Sequence, residues 1–143
     1  MTRINVIKPE LLSDAWLLAE YRELPRAIKG KIDISDASDS YKLGKGHVKW
    51  AKKHSLFLLN RFNSIIKEMQ YRSFTPHFSA FGKNGLCQYL TKETNFDYKI
   101  TQNDINTNIN RLKERYLTNP KIHKWTNRKM PDFLKNSEKF RII

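Results

Sequence analysis

The chain has 143 residues and a formal net charge of +13, with 27 Lys and Arg against 14 Asp and Glu. That length suits one domain with a modest core, a mean hydropathy of −0.68 without a long apolar run argues against a membrane span, and the lone Cys87 rules out an internal disulfide. So much positive charge does nothing for a fold and points to a polyanionic partner, nucleic acid or an anionic membrane surface, over a bias that serves solubility alone.

The first expected helix runs from about Glu10 to Lys29, with Pro9 where a first turn tolerates proline. Leu12, Trp16, Ala19 and Glu23 share one face, and Leu11, Ala15, Leu18 and Arg22 share the next. Pro25 predicts a kink near Tyr21–Arg26. Residues 30–47 read as a loop, marked by Gly30, an Asp/Ser-rich stretch and Gly44-Lys45-Gly46. A second helix is expected from about Val48 to Tyr71, with Leu58, Phe62, Ile65 and Met69 as its apolar face. Residues 75–100 read as irregular, apart from a short helical turn around Leu86–Leu90. Thr101 caps a third helix, with Asp104 in capping-box position, and Asn119-Pro120 stops it. The tail is basic and carries Trp125, Phe133 and Phe140 as anchors. The expected fold is therefore all-α: a single compact domain of three main helices with long loops over residues 1–143, of which 126–143 form a basic C-terminal extension.

Two places could carry chemistry. Arg22 and Arg26 lie one helical turn apart, where like charges repel unless a phosphate sits between them. Glu23 beside them should stay ionised, although a plain Glu23–Arg26 surface pair is the commoner arrangement for such residues. Removal of Met1 would expose the α-amine of Thr2, with an ordinary pKa of about 7.7–8.0. Such an amine is partly neutral near physiological pH and can attack a carbonyl or an anomeric carbon. By itself, Thr2 reads as an ordinary frayed terminus. His47 and His54, seven apart, read as phosphate contacts or surface residues. Trp50 and Trp125 could stack on bases or simply pack.

Thr2-Arg3-Ile4-Asn5 followed by Ala19-Glu20-Tyr21-Arg22-Glu23-Leu24-Pro25-Arg26 resembles, in ungapped register, the phage pyrimidine-dimer DNA glycosylase/AP lyase family, the phage endonuclease V type. Gly44-Lys45-Gly46-His47-Val48 is similar to the family's segment before its second helix, and Arg111-Leu112, Arg115 and Pro120 to its third helix and that helix's end. The resemblance implies that Thr2 is the nucleophile, forming an imine with the sugar before β-elimination breaks the strand. It implies that Glu23 stabilises positive charge and assists proton transfer. It places Arg3, Arg22, Arg26, Arg111 and Arg115 on phosphates, with His47, Lys124 and Trp125 as further DNA contacts. The implied partner is damaged double-stranded DNA with a flipped nucleotide; no metal and no cofactor is implied.

The chain also departs from the pattern. Trp16 stands where the family carries a histidine, and Lys121-Ile122-His123-Lys124-Trp125-Thr126-Asn127 replaces a run richer in tyrosine and tryptophan. Both changes bear on which lesion is recognised. A non-catalytic basic DNA-binding protein that keeps the fold is the alternative, and an RNA- or membrane-binding helical protein a third reading. A monomer is expected, in the cytoplasm, or in the host cytoplasm or nucleoid for a phage-encoded protein.

Overall fold

The computed structural model describes residues 4–77 and 85–135. They form four helices, α1 (Asp14–Lys29), α2 (His47–Lys53), α3 (Ser55–Tyr71) and α4 (Gln102–Thr118), with short 3-10 turns at Pro9–Leu11, Leu86–Tyr89 and Pro120–Ile122. No strand occurs among the described residues, so the all-α expectation holds.

α1 starts where Ser13 accepts the Trp16 N–H, and runs on through Pro25 to Lys29. Leu17, Glu20, Leu24 and Ile28 form its buried face, against α3. On the face shared by Trp16, Ala19 and Glu23, Ala19 is exposed, and Trp16 and Glu23 are half-buried. Leu17, Leu24 and Ile28 are fully sequestered, worth about 1.5–3 kcal/mol each in apolar burial. Glu20, whose charge disguised this face, is buried because Arg61 meets it with a two-pronged guanidinium fork.

The expected second helix is two. His54, at φ −99° and ψ 43°, breaks helical geometry between α2 and α3. There the N–H groups of Ser55 and Phe57 donate to the carbonyls of Thr94 and Phe96 at 3.1 and 3.3 Å. The first turn of α3, which has no side-chain cap, thus takes its cap from a distant loop. Ahead of α2, Gly46 sits at φ 91°, a left-handed conformation that suits glycine. α4 begins with the expected reciprocal capping box of Thr101 and Asp104.

One apolar cluster runs from Ile4, Val6 and Ile7 through α1, Trp50 and α3 to Leu112 of α4, with Phe133 packed against it. Arg72, at the end of α3, is fully buried and binds Asp14, Glu68 and the carbonyl of Pro9. Arg128 completes the cluster by pairing with Glu68 while lying 3.8 Å over the Tyr71 ring. Burial opposes ionisation of Asp14 and Glu68, but Thr126 and Arg72 on the first, and Arg128 and Arg72 on the second, hold both carboxyls below their ordinary range. The tail is thereby fastened to the start of α1. The Asp14 N–H donates to the Lys124 carbonyl at 2.8 Å, and the Trp125 indole N–H to the Leu11 carbonyl at 3.0 Å. Trp125 and Phe133 are anchors as expected, whereas Phe140 lies outside the described residues.

Candidate functional site

Residues 4–7 lie in the interior, and buried side chains take up their backbone groups one after another. The Ile4 N–H donates to His47 Nε2 at 3.1 Å, and the Ile4 carbonyl accepts the Tyr41 hydroxyl at 2.9 Å. Asn108 Oδ1 accepts from both Val6 and Ile7, at 2.8 and 3.2 Å, and the Ile7 carbonyl accepts from Arg61 at 2.8 Å. Asn108 also donates to Asn5, and Asn5 to Glu20, so one buried polar chain runs from α4 through the N-terminal segment to the Glu20–Arg61 pair. Such a chain leaves residues 4–7 little freedom, since each broken bond strands a buried polar group.

This clamp sets Ile4 on the wall of a hollow of about 190 Å³, lined also by Glu23, Arg26, Ala27, His47, Val48 and Ala51. At about 30 Å³ per water, that is room for roughly six waters, the scale of one sugar ring. Glu23 reaches it from the outward face of α1, its side chain 26% exposed and accepting a hydrogen bond from Arg26 at 3.3 Å. Arg26 is far more open, at 74%, and Arg22 is exposed one turn earlier on the same helix. The surface pair that residue chemistry favours does form, but at the mouth of a cavity.

His47 needs a correction. It is 2% exposed, and its ring hydrogen-bonds both the Ile4 N–H and the Lys42 carbonyl, the latter at 2.7 Å. With Nε2 accepting, Nδ1 carries the proton and donates to Lys42. The ring therefore holds the N-terminal segment and does not lie open to a phosphate. His54 is likewise buried, its Nδ1 on the Trp50 carbonyl at 2.7 Å, and burial pushes its pKa down. Trp50 is fully buried among Tyr41, His47, His54, Phe57 and Tyr98, a packing residue with no face for a base.

Arg111 and Arg115 line a second hollow, about 540 Å³, together with Trp16 and His123. Lys124 is exposed next to it, and Trp125 is half-buried, its indole N–H already engaged. Thr2 and Arg3 lie outside the described residues. Among the described residues no cluster of His, Cys, Asp or Glu could hold a metal ion, and no helix is long and apolar enough to cross a membrane. Asn5, Tyr41, Arg61 and Asn108 are the residues that sequence reasoning missed. For Asn5, Arg61 and Asn108 the only signal is a polar residue among apolar positions, and Tyr41, in a polar loop, carries none.

A family model described as pyrimidine dimer DNA glycosylase matches residues 1–81, more than half of the chain, and the chain belongs to that family.

Proposed function

We propose that this member of the pyrimidine dimer DNA glycosylase family removes a damaged pyrimidine from duplex DNA and then cuts the strand, using the Thr2 α-amine as nucleophile. The observation that carries the reading is the clamped Ile4 on the wall of the Glu23 hollow. Thr2 lies two positions before Ile4 in the sequence, a span of at most about 7 Å when extended.

The amine must be neutral to attack. An ordinary α-amine is partly so near pH 7.7–8.0, and neighbouring guanidinium groups favour the neutral form further. Its lone pair adds to C1′ of the target sugar. The bond from C1′ to the base nitrogen breaks, and the pair leaves with the base. Loss of the amine proton and opening of the ring give an imine. Removal of a C2′ proton then expels the 3′ phosphate, and water frees the enzyme. Glu23 is suited to two parts of this: its charge stabilises the cationic sugar and iminium, and its oxygens can accept a proton.

Glu23 starts out paired with Arg26, but an exposed pair of this kind is worth only about 0–1 kcal/mol and is readily exchanged. A backbone phosphate between Arg22 and Arg26 would draw the guanidinium off Glu23 as DNA arrives. The target nucleotide has to leave the stack to reach the hollow, so flipping and kinking of the duplex belong to the reading.

The test is borohydride trapping on duplexes carrying a cyclobutane dimer or an abasic site. A covalent adduct that maps to Thr2 is expected, with little adduct from protein that retains Met1 or carries an N-terminal tag. A native protein that gives no adduct on either duplex would leave the non-catalytic DNA-binding alternative standing.

A further inference from the structure

The Glu23 hollow is built from two helices and the N-terminal segment. Glu23, Arg26 and Ala27 reach it from α1, and His47, Val48 and Ala51 from the start of α2. Ile4, His47 and Ala51 are almost fully buried, at 1%, 2% and 1% exposure, and form its floor. Glu23, Arg26 and Val48 are more open and form its rim, with the charged pair on the α1 side and Val48 on the α2 side. Four of the seven lining residues, Ile4, Ala27, Val48 and Ala51, are apolar. Both ring nitrogens of His47 are held, one by the Ile4 N–H and one by the Lys42 carbonyl. Glu23 and Arg26 are therefore the lining side chains that offer a polar group to what enters.

Val48 is the member of this lining that core packing does not explain. It is 36% exposed, while Trp50 and Ala51 of the same helix turn inward. Its branched Cβ leaves one preferred rotamer on a helix, so the rim carries a stiff apolar edge.

The imine proposed to form here has two fates. In elimination, Glu23 takes a C2′ proton, the C–H pair becomes the C2′–C3′ double bond, and the C3′–O pair leaves with the phosphate. In hydrolysis, a water oxygen adds to C1′, the C1′–N bond breaks, and the amine leaves with both water protons. The second path returns an abasic sugar on an unbroken strand. A water enclosed at this mouth needs two to four polar partners, and apolar side chains give it none.

We infer that Val48 and Ala27, one on each helix, keep water from C1′ until the strand has broken, and so set how often base removal ends in cleavage. The inference rests on the imine chemistry proposed above.

The test is the ratio of unbroken abasic strand to cleaved strand after a single turnover of the full chain on a dimer-bearing duplex, with alkali revealing the abasic strand. Val48→Thr keeps the branched shape and adds one hydroxyl, and Ala27→Ser adds one on α1. Each should raise the ratio about fivefold, the worth of one hydrogen bond to the incoming water. Val48→Ile, larger and still apolar, should not raise it. Loss of folded protein lowers both products together and leaves the ratio where it was. A native protein that gives a borohydride adduct, with the wild-type ratio in both hydroxyl variants, overturns this inference and leaves the proposed chemistry standing. An equal rise in Val48→Ile would overturn it too, because shape and not polarity would then set the ratio. A native protein that gives no adduct defeats the proposed chemistry itself, and this inference with it.

Discussion

Ile4 and His47, 43 positions apart in the chain, are joined by one hydrogen bond in which the Ile4 N–H donates to Nε2 at 3.1 Å. His47 is itself fixed by Lys42 at the mouth of α2, so Ile4 is registered against a helix it does not adjoin. Under the proposed function, that makes His47 a ruler for the N-terminal amine. His47→Phe keeps a ring of similar size and removes both hydrogen bonds. The borohydride-trapping rate should fall at least tenfold, because misplacement by about 1 Å costs on the order of a hundredfold in a positioned reaction. Duplex affinity, read by anisotropy, should change less than threefold.

The Glu20–Arg61 pair holds the other end of the same segment. Both side chains are nearly fully buried, at 1% and 6% exposure, and Arg61 also serves the Ile7 carbonyl. Removing one partner strands a buried charge, so Glu20→Gln or Arg61→Met should cost about 3–5 kcal/mol in urea unfolding. The midpoint should drop with little change in slope. The double variant Glu20→Leu/Arg61→Leu should recover part of the loss, since paired removal leaves no lone charge.

These two clamps show what the sequence could and could not convey. The cap of α4 was legible, because Thr and Asp at a helix start act within four residues: Thr101 and Asp104 form the box that their spacing requires, whereas α1 starts at Asp14 behind Ser13 and not at Glu10. The Glu23, Arg22 and Arg26 cluster was legible because it lies within one helical turn. The break at His54 was not, because its cause is the Thr94 and Phe96 carbonyls some forty residues on. The inward face of α1 was not legible, for a related reason. Glu20 looks like a solvent residue until Arg61 is brought to it by the packing of α3 on α1. Polar residues whose partners are distant in sequence carry no local periodicity to betray them.

Acid should destabilise the protein in two stages. Burial lowers the pKa of His54 and of His123, so each binds its proton less readily folded than unfolded. Their contribution is complete above the unfolded value of about 6.5 and is lost as pH falls below it, levelling off beneath the folded pKa. Asp14 and Glu68, held low against their burial by hydrogen bonds and guanidinium partners, contribute above the ordinary carboxylate range and lose that contribution only at more acid pH. Tm measured from pH 8 to 3 should fall in a first step beginning near 6.5 and a second beginning near 4.5. His54→Asn, whose side-chain amide can still donate to the Trp50 carbonyl, should shrink the first step and leave the second.

Glu23 and Arg26 touch each other, yet the proposed function gives them opposite duties, and that makes their variants separable. Arg26 meets phosphate, so Arg26→Ala should weaken duplex binding at every sequence and reduce the salt slope by about one. Glu23 meets the sugar and repels phosphate. Glu23→Gln should therefore bind DNA as tightly as wild type or slightly tighter, while the rate of base removal falls about 10²–10⁴-fold, the usual worth of a positioned acid–base group. A merely structural pair would behave otherwise: both variants would lose the same small stability, about 0–1 kcal/mol, and neither binding nor rate would divide between them. Anisotropy titrations and single-turnover excision on the same two proteins decide between the patterns. The crossed result, affinity lost in one and chemistry in the other, is what a carboxylate at the mouth of a sugar-sized hollow and a guanidinium on its rim should give.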